Sequence, residues 1–314
     1  MAELQSTLSQ PLASQKNKLR RQQAEDSWQL FRGHRTGMIG LALIAIFTLL
    51  AASHPMLMST VWDRRRYDPI VGFDMAYFPH PSPPSIEHLL GTDNYGRDVL
   101  SQLLFGARVS FGVGLTAGLV AAVLSTLLGG AAGFIGGQID QLLMGLADVA
   151  VLMPAPVVLL IFGLLVRMEW PAMGILYGLL TGAGAQAIIV KSQTLALRAK
   201  PYIEAAQAAG GGRLHIFRRH VLPGLLPLTA VNLFLTVVGA VLTESLLSYF
   251  NRTRVDLSWG TMIWLGQETF RRHTVEGQWH AILPPALAIM LFCSAFYLVG
   301  RALDEVLNPR LRAR

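Results

Sequence analysis

The sequence predicts an all-α membrane protein, a polytopic bundle of six transmembrane helices, and three observations lead to this prediction. Of its 314 residues, 52% are hydrophobic and only 14% are charged, whereas a soluble domain usually carries about 25% charged residues. The apolar residues are grouped into blocks of about 20, the length that crosses the bilayer core as a helix. A backbone in lipid must satisfy its own hydrogen bonds, which leaves only helices or closed β-barrels. The blocks lack the alternation of apolar and polar residues that barrel strands show, so helices are predicted.

Six apolar windows reach the required length. They cover residues 38–58, about 108–135, about 141–166, about 172–195, about 224–249 and about 281–303. Between the first two windows, residues 59–107 form a long loop in which the proline-rich FPHPSPPS precedes a turn and an amphipathic helix. Asp93 or Asn94 is expected to cap that helix. A second long loop, 250–280, has room for a short helix.

The distribution of lysine and arginine predicts the orientation. With the N-terminus inside, the cytoplasmic segments hold six basic residues in 1–37, none in 136–140, six in 191–223 and four from Arg301 onward, which leaves ten for the other side. Basic residues collect on the cytoplasmic side of membrane proteins. We therefore expect two cytoplasmic ends, a tail at 1–37 and another at 304–314. The net charge of +7 has the same explanation, so we expect lipid and not nucleic acid around the chain.

The chain offers few groups for catalysis or metal binding. Its single cysteine, Cys293, lies inside an apolar window, and no Cys/His spacing indicates a metal site. An intramembrane hydrolase is disfavoured because the sequence has no HExxH motif and no second intramembrane aspartate within reach of Asp148. The phosphate-cradling GxxxxGK[ST] pattern of an ATPase is also missing. We expect no catalytic residue, no metal and no cofactor.

The polar segment 201–223 interrupts the apolar pattern between the fourth and fifth windows. Good helix formers occupy 202–209, and Pro201 is acceptable at a helix start. Three glycines at 210–212 end that helix, and a second short helix is expected over 213–221. Small alanine side chains suit a surface that fits into a groove of another protein. An ordinary cytoplasmic loop with helical turns would explain the same residues.

The spacing of this segment is similar to a known motif. Glu204, Ala205 and Ala206 are followed after three residues by Gly210, and nine residues later by His220-Val-Leu222-Pro223. This pattern resembles the EAA loop of bacterial ABC-importer permeases, which reads EAA, three residues, Gly, nine residues and Ile-x-Leu-Pro. Only the isoleucine differs, and His220 stands in its place.

Other stretches resemble the second permease subunit of dipeptide and oligopeptide importers. From His88 the chain reads HLLGTDNYGRDVLSQLLFGARVS, close to the family pattern HxLGTDxxGRDxxSRxxxGxRxS, and the matching positions include Gly91, Thr92, Asp93, Gly96, Arg97 and Asp98. GGQID at 136–140 is similar to the family's GGxxD, and NPRL at 308–311 to its closing DPR element. Over 249–254 the chain departs from the family's FLGLG, because an aromatic residue and two arginines replace glycines.

The resemblance implies a MetI-like type I importer fold in the bacterial inner membrane, with 38–58 as a first helix and 108–303 as the permease domain. It implies a subunit that forms half of a translocation pathway for peptides. Its partners would be a second permease, cytoplasmic ATPases and an extracytoplasmic substrate-binding protein. In this family the EAA helix couples the ATPases to the spans.

Alternatives to a peptide permease remain open. Permeases of the same family carry nickel chelates, opines or other small solutes. A stand-alone channel or secondary transporter would explain six spans but not the EAA spacing.

Three charged residues fall within or near the predicted spans: Asp148, Lys191 and Glu244. Charges at this depth are costly and mark functional candidates. Asp148 precedes Met153-Pro154, where a kink is expected, and is a candidate gate residue. Glu244, near the outer end of the fifth window, is a candidate pathway residue or snorkels to the surface. Structural pairing within the protein is the alternative for each.

Cysteine labelling tests the predicted orientation. Single cysteines placed in 59–107 or 250–280 should react with a membrane-impermeant thiol reagent from outside, because both loops are expected to be extracytoplasmic. Cysteines placed in 191–223 serve as the matched control and should react only from the cytoplasmic side. Labelling of the two long loops only from the cytoplasm would overturn the topology.

Overall fold

The computed structural model describes residue 25 and residues 28–166, 168–250, 257–272 and 279–307, and the regular secondary structure in these ranges is helical. In chain order the helices are α1 (Arg35–Thr60), α2 (Arg64–Tyr67), α3 (Val99–Ile135), α4 (Gly137–Leu152), α5 (Ala155–Leu165), α6 (Trp170–Ala183), α7 (Ala185–Arg198), α8 (Pro201–Ala208), α9 (Arg213–Ile216), α10 (Leu222–Tyr249), α11 (Trp259–Arg272) and α12 (Trp279–Leu307). A 3₁₀ turn covers Met75–Tyr77 and a π-helical turn covers Phe217–Val221. The NPRL stretch at 308–311 and most of residues 249–254, where the chain differs from the FLGLG pattern, lie outside the described residues.

The predicted all-α membrane fold is confirmed. Four continuous helices are long and apolar enough to cross a membrane: α1, α3, the helix Arg213–Tyr249 and α12. The count reaches six if each of two bent pairs is one span, since α4 and α5 meet at 75° and α6 and α7 at 43°. The first bend falls at Met153-Pro154, as expected from a proline that cannot continue the helical ladder. The second bend, at Gly184, was not predicted.

The second span is longer than predicted. α3 begins at Val99 instead of about 108, because the amphipathic segment after the turn runs directly into the apolar window. The predicted cap was also wrong: the Asp98 carboxylate, not Asp93 or Asn94, caps the helix by accepting the Ser101 N–H at 2.6 Å.

The predicted second short helix over 213–221 is not separate from the fifth span. α9 passes through the π turn into α10, so one helix runs from Arg213 to Tyr249. The wide turn lies directly before Pro223, which has no N–H to donate to the carbonyl of residue 219.

The centre of the bundle is α3, which packs against α6, α7 and α10. Glycines allow the closest contacts. A Cβ on Gly178 of α6 would lie 2.6 Å from the Ala117 carbonyl oxygen, and one on Gly129 of α3 would lie 2.2 Å from the Ala187 carbonyl oxygen. Helices in lipid associate through such close packing.

An aromatic cluster joins α11 to α1 and α12. Trp259 is buried against Phe47 of α1 and Phe292 of α12, with ring centroids 5.8 and 5.6 Å away. Its indole N–H donates to the Leu103 carbonyl of α3 at 2.9 Å. The short helix predicted in the second long loop is therefore present and fastened to three spans.

Replacement of a contact glycine should destabilise the bundle. In Gly178→Ala the new methyl meets the Ala117 carbonyl at 2.6 Å, so α6 must move at a cost of about 1–3 kcal/mol. Gly145→Ala is the matched control, since Gly145 is also helical and has no described atom within 4 Å of its Cβ position. Thermal unfolding in detergent, followed by tryptophan fluorescence, should show a lower midpoint only for Gly178→Ala. Equal midpoints would contradict the packing argument.

Candidate coupling and pathway sites

The helix α8 ends at a corner that requires glycine. Gly210 has φ +81°, and its N–H donates to the Gln207 carbonyl at 2.9 Å while the Gly211 N–H donates to the Ala206 carbonyl at 3.0 Å. These bonds form a Schellman motif. No described atom lies within 4 Å of the Gly210 Cβ position. The backbone conformation, and not crowding, therefore demands glycine here.

The EAA segment, residues 201–223, is anchored in the bundle by its inner side. Ile203 of α8 is fully buried, as are Ile216 and Val221 of the following helix. They form one cluster with side chains of α3, α7 and α10: Phe134, Val190, Leu197 and Leu225. The segment therefore moves with these helices and is not a free loop.

The outer side of the segment is open. Glu204, Ala205 and Gly210 are exposed and Ala206 is half-buried. Leu222 and Pro223, predicted as the end of the motif, lie in the first turn of α10, where Leu222 is half-buried and Pro223 exposed. The EAA residues thus present a surface of small side chains and one carboxylate away from the bundle.

His220 contacts α8 from the π turn. Its ring lies 6.2 Å from the Tyr202 ring, centroid to centroid, and its side chain is half-buried. The residue that replaces the family's isoleucine therefore still packs between the two arms of the segment, with an aromatic partner.

An ion pair holds the helix that leads into α8. Lys191 Nζ of α7 lies 2.5 Å from Asp140 Oδ1 of α4, and both side chains are about three-quarters buried. Lys191 thus has the structural pairing that the sequence left open, and its partner is the aspartate of GGQID. The sequence could not reveal this pair, because the two residues are far apart in the chain.

Asp148 is exposed on α4 beside large apolar side chains. It lies between Leu146 and Val149, which are also exposed. Within the described part of the chain it has no ion-pair or hydrogen-bond partner. In α4 only Ala147 is buried, so this bent span presents most of its surface outward.

Glu244 is enclosed by hydroxyl groups. Its side chain is 0% exposed, and the carboxylate accepts hydrogen bonds from Ser248 at 2.7 Å and Ser245 at 3.4 Å. Ser258, just before α11, also bonds to it. Glu244 therefore does not snorkel, and its hydrogen bonds join α10 to the entry of α11.

The GTDNYGRD motif folds as a cap on the N-terminal end of α3. Asp93 accepts the N–H groups of Tyr95 and Arg97 at 2.9 Å, and its other oxygen accepts from Arg97 Nε at 2.7 Å and from Gln102 at 2.9 Å. Two further positions complete the turn: Gly91 and Gly96 have φ +74° and +75°.

The remaining motif residues tie this turn to its surroundings. The Thr92 hydroxyl accepts the Ser82 N–H at 2.8 Å and bonds to the His80 ring at 3.0 Å. Asp98 caps α3. The six motif residues therefore shape the loop between α1 and α3, and none of them reaches the EAA segment.

A buried histidine between two carboxylates stabilises the same loop. His88 Nδ1 lies 2.8 Å from Asp98 and Nε2 lies 3.4 Å from Asp74. The hydrogen bond to Asp98, together with both negative charges, raises the pKa of His88 against the opposing effect of burial. Burial opposes ionisation of Asp74, but the Ala76 N–H, Arg66 and His88 together lower its pKa.

Comparison with known proteins identifies a family. Residues 103–313 match the model of the binding-protein-dependent transport system inner membrane components. Residues 22–71 match the N-terminal transmembrane domain of oligopeptide transport permease C. These two matches together span most of the chain.

Individual relatives are similar over most of their length. The dipeptide transport system permease protein DppC of Bacillus subtilis is 31% identical over 92% of this chain and 86% of its own. The oligopeptide transport system permease protein OppC of the same organism is 30% identical over 92% and 90%. The Escherichia coli K12 OppC protein is 33% identical over 88% and 86%.

The loop between α1 and α3 should become less stable as pH rises. Because the pKa of His88 is raised above its ordinary 6.5 in the folded loop, its contribution is full below pH 6.5 and is lost as pH rises through the raised pKa. Amide hydrogen exchange over residues 74–98, corrected for intrinsic rates, should therefore show weaker protection at alkaline pH.

Two variants isolate the effect of this histidine. His88→Gln should remove most of the pH dependence, whereas His215→Gln, at an exposed position on the EAA segment, should leave it unchanged. A pH dependence that survives in His88→Gln would refute the assignment.

Proposed function

Because the chain belongs to the binding-protein-dependent transport system inner membrane components, the permease subunits of ABC importers, we propose that it forms half of a peptide translocation pathway. The names of its relatives, dipeptide and oligopeptide permeases, support a peptide cargo over nickel chelates or opines. ATP hydrolysis belongs to separate cytoplasmic ATPases in this proposal. The observation that carries it is α8, a helix with an open outer face and an anchored inner face.

Coupling follows from the way α8 is held. An ATPase cleft that closes around Glu204 and Ala205 would push on Ile203, which is buried among side chains of α3, α7 and α10. The force would pass to the spans as rigid-body motion, because α8 cannot shift without these helices. Alternating access then requires that the ATPases contact α8 differently in their two states.

Asp148 supports a position for the second permease subunit. A carboxylate exposed to lipid within a span is expensive, so such residues face a partner or a water-filled cavity. We assign the outward face of α4 and α5 to the contact with the second permease, where Asp148 would line the pathway. Glu244, enclosed within its own chain, would instead hold the outer end of α10 in place.

The outer loops suit the binding-protein side of the membrane. With both ends of the chain cytoplasmic, the loop between α1 and α3 and the helix α11 lie outside. The loop exposes large apolar side chains, among them Met75, Phe78 and Ile86, and it is braced by the GTDNYGRD cap. A rigid surface with exposed apolar groups supports docking of a soluble substrate-binding protein there.

Substitutions in the EAA segment test the coupling. Glu204→Arg reverses the one exposed charge of the EAA triplet, and Gly210→Val strains the corner at φ +81°. Each should lower uptake of a labelled peptide about tenfold or more, because Glu204→Arg removes a charged contact and Gly210→Val must adopt a left-handed conformation that a branched side chain disfavours. Membrane insertion should be preserved, and copurification of the ATPases should fall.

Two control variants match these changes. Glu169→Arg makes the same charge reversal at an exposed residue directly before α6. Gly212→Val changes a glycine two positions from Gly210, where φ is −63°. Both should transport normally. Wild-type uptake and ATPase association in Glu204→Arg and Gly210→Val, or uptake that needs no ATPase, would refute the proposal.

A further inference from the structure

A hollow of about 450 Å³ opens where the start of α1 meets the end of α12. Residues 33–36 line one side, and Leu298, Arg301 and Glu305 line the other. The two helices approach closely just below it, where a Cβ on Gly37 would lie 2.6 Å from the Ala302 Cβ. The hollow is therefore a cleft between two helix ends with a closed floor.

The surroundings of the hollow place it at the level of the lipid headgroups. Trp28, in the helical stretch before α1, is 49% exposed, and Tyr297, one turn below Arg301, is 46% exposed. Exposed aromatic residues of this type concentrate at the membrane–water interface. Towards the membrane centre, α1 and α12 expose apolar side chains such as Ile39 and Leu291. The cleft thus borders lipid on its membrane side.

The charges around the hollow are arranged for an anion. Arg35 and Arg301 provide two exposed guanidinium groups. Glu305 lies 3.3 Å from Arg301 and 3.3 Å from His34, so it neutralises one of the two cations. Arg32, in the helical stretch before α1, adds a further exposed guanidinium group on the same side. Clusters of basic residues beside a transmembrane helix attract anionic lipids.

We propose that this hollow binds the headgroup phosphate of an anionic phospholipid. Arg35 and Arg301 would donate to the phosphate oxygens, as guanidinium groups do in other phosphate sites. The acyl chains would lie along the apolar faces of α1 and α12. A lipid fits better than free phosphate because the cleft borders the membrane and contains Leu298. The inference is independent of the cargo and of the ATPase contact.

Native mass spectrometry of the full-length chain in a neutral detergent tests the site. Dioleoyl phosphatidylglycerol is the probe, dioleoyl phosphatidylcholine the zwitterionic comparison and inorganic phosphate the free anion. The double variant Arg35→Gln/Arg301→Gln should bind phosphatidylglycerol about tenfold more weakly, as expected for loss of charged hydrogen bonds. Arg64→Gln/Arg65→Gln removes two exposed arginines near the other end of α1 and should bind like wild type.

A gain-of-binding variant keeps the test decisive if the double variant folds poorly. Glu305→Gln removes the carboxylate that competes for Arg301, so it should bind phosphatidylglycerol more tightly than wild type. Unchanged binding in both the double variant and Glu305→Gln would overturn the proposal. Equal binding of phosphatidylcholine would overturn the requirement for an anionic headgroup. Displacement of phosphatidylglycerol by an equal concentration of inorganic phosphate would show a free-anion site instead of a lipid site.

Discussion

Close contact along α3 is the constraint on which the rest of the bundle depends. Lipid tails are as apolar as the side chains of these helices, so the spans gain little from packing together unless their backbones come near. Gly129 of α3 and Gly178 of α6 supply that proximity, since any side chain there would meet a neighbouring carbonyl oxygen. α7 is held in the same way, and α8 follows it after a short link. The position of the EAA surface therefore depends on buried glycines that are not part of it.

Charges inside this protein fall into two groups that differ in how they are satisfied. Lys191 and Glu244 are paired within the chain, by Asp140 and by serine hydroxyls, and each joins two helices. Asp148 has no such partner among the described residues and is exposed beside Leu146 and Val149. A charge within a span is costly unless it meets a partner or water, and for this reason the proposed contact with a second permease is placed at this residue.

The sequence predicted those parts of the structure that depend on local composition. The six windows, the break at Met153-Pro154 and the glycine corner at 210–212 all follow from hydropathy or from the chemistry of one or two residues. The capping residue of α3 could not be predicted in this way, because both Asp93 and Asp98 are residue types that cap helices. Asp93 is instead engaged by Arg97 and Gln102, and that contact depends on the folded turn. The pairing of His88 with Asp74 was equally inaccessible, since the two residues are fourteen positions apart with four prolines between them.

The continuous helix from Arg213 to Tyr249 has a mechanical consequence. Its 37 residues extend about 55 Å at 1.5 Å per residue. In the proposed transport cycle it would act as a lever arm, since a tilt of about 5° at the Arg213 end would displace the far end by about 5 Å at this length. Because Glu244 holds that far end at the entry of α11, one continuous helix links the EAA segment to α11. Closing one face and opening the other would then be a single movement and not two events that need to be synchronised.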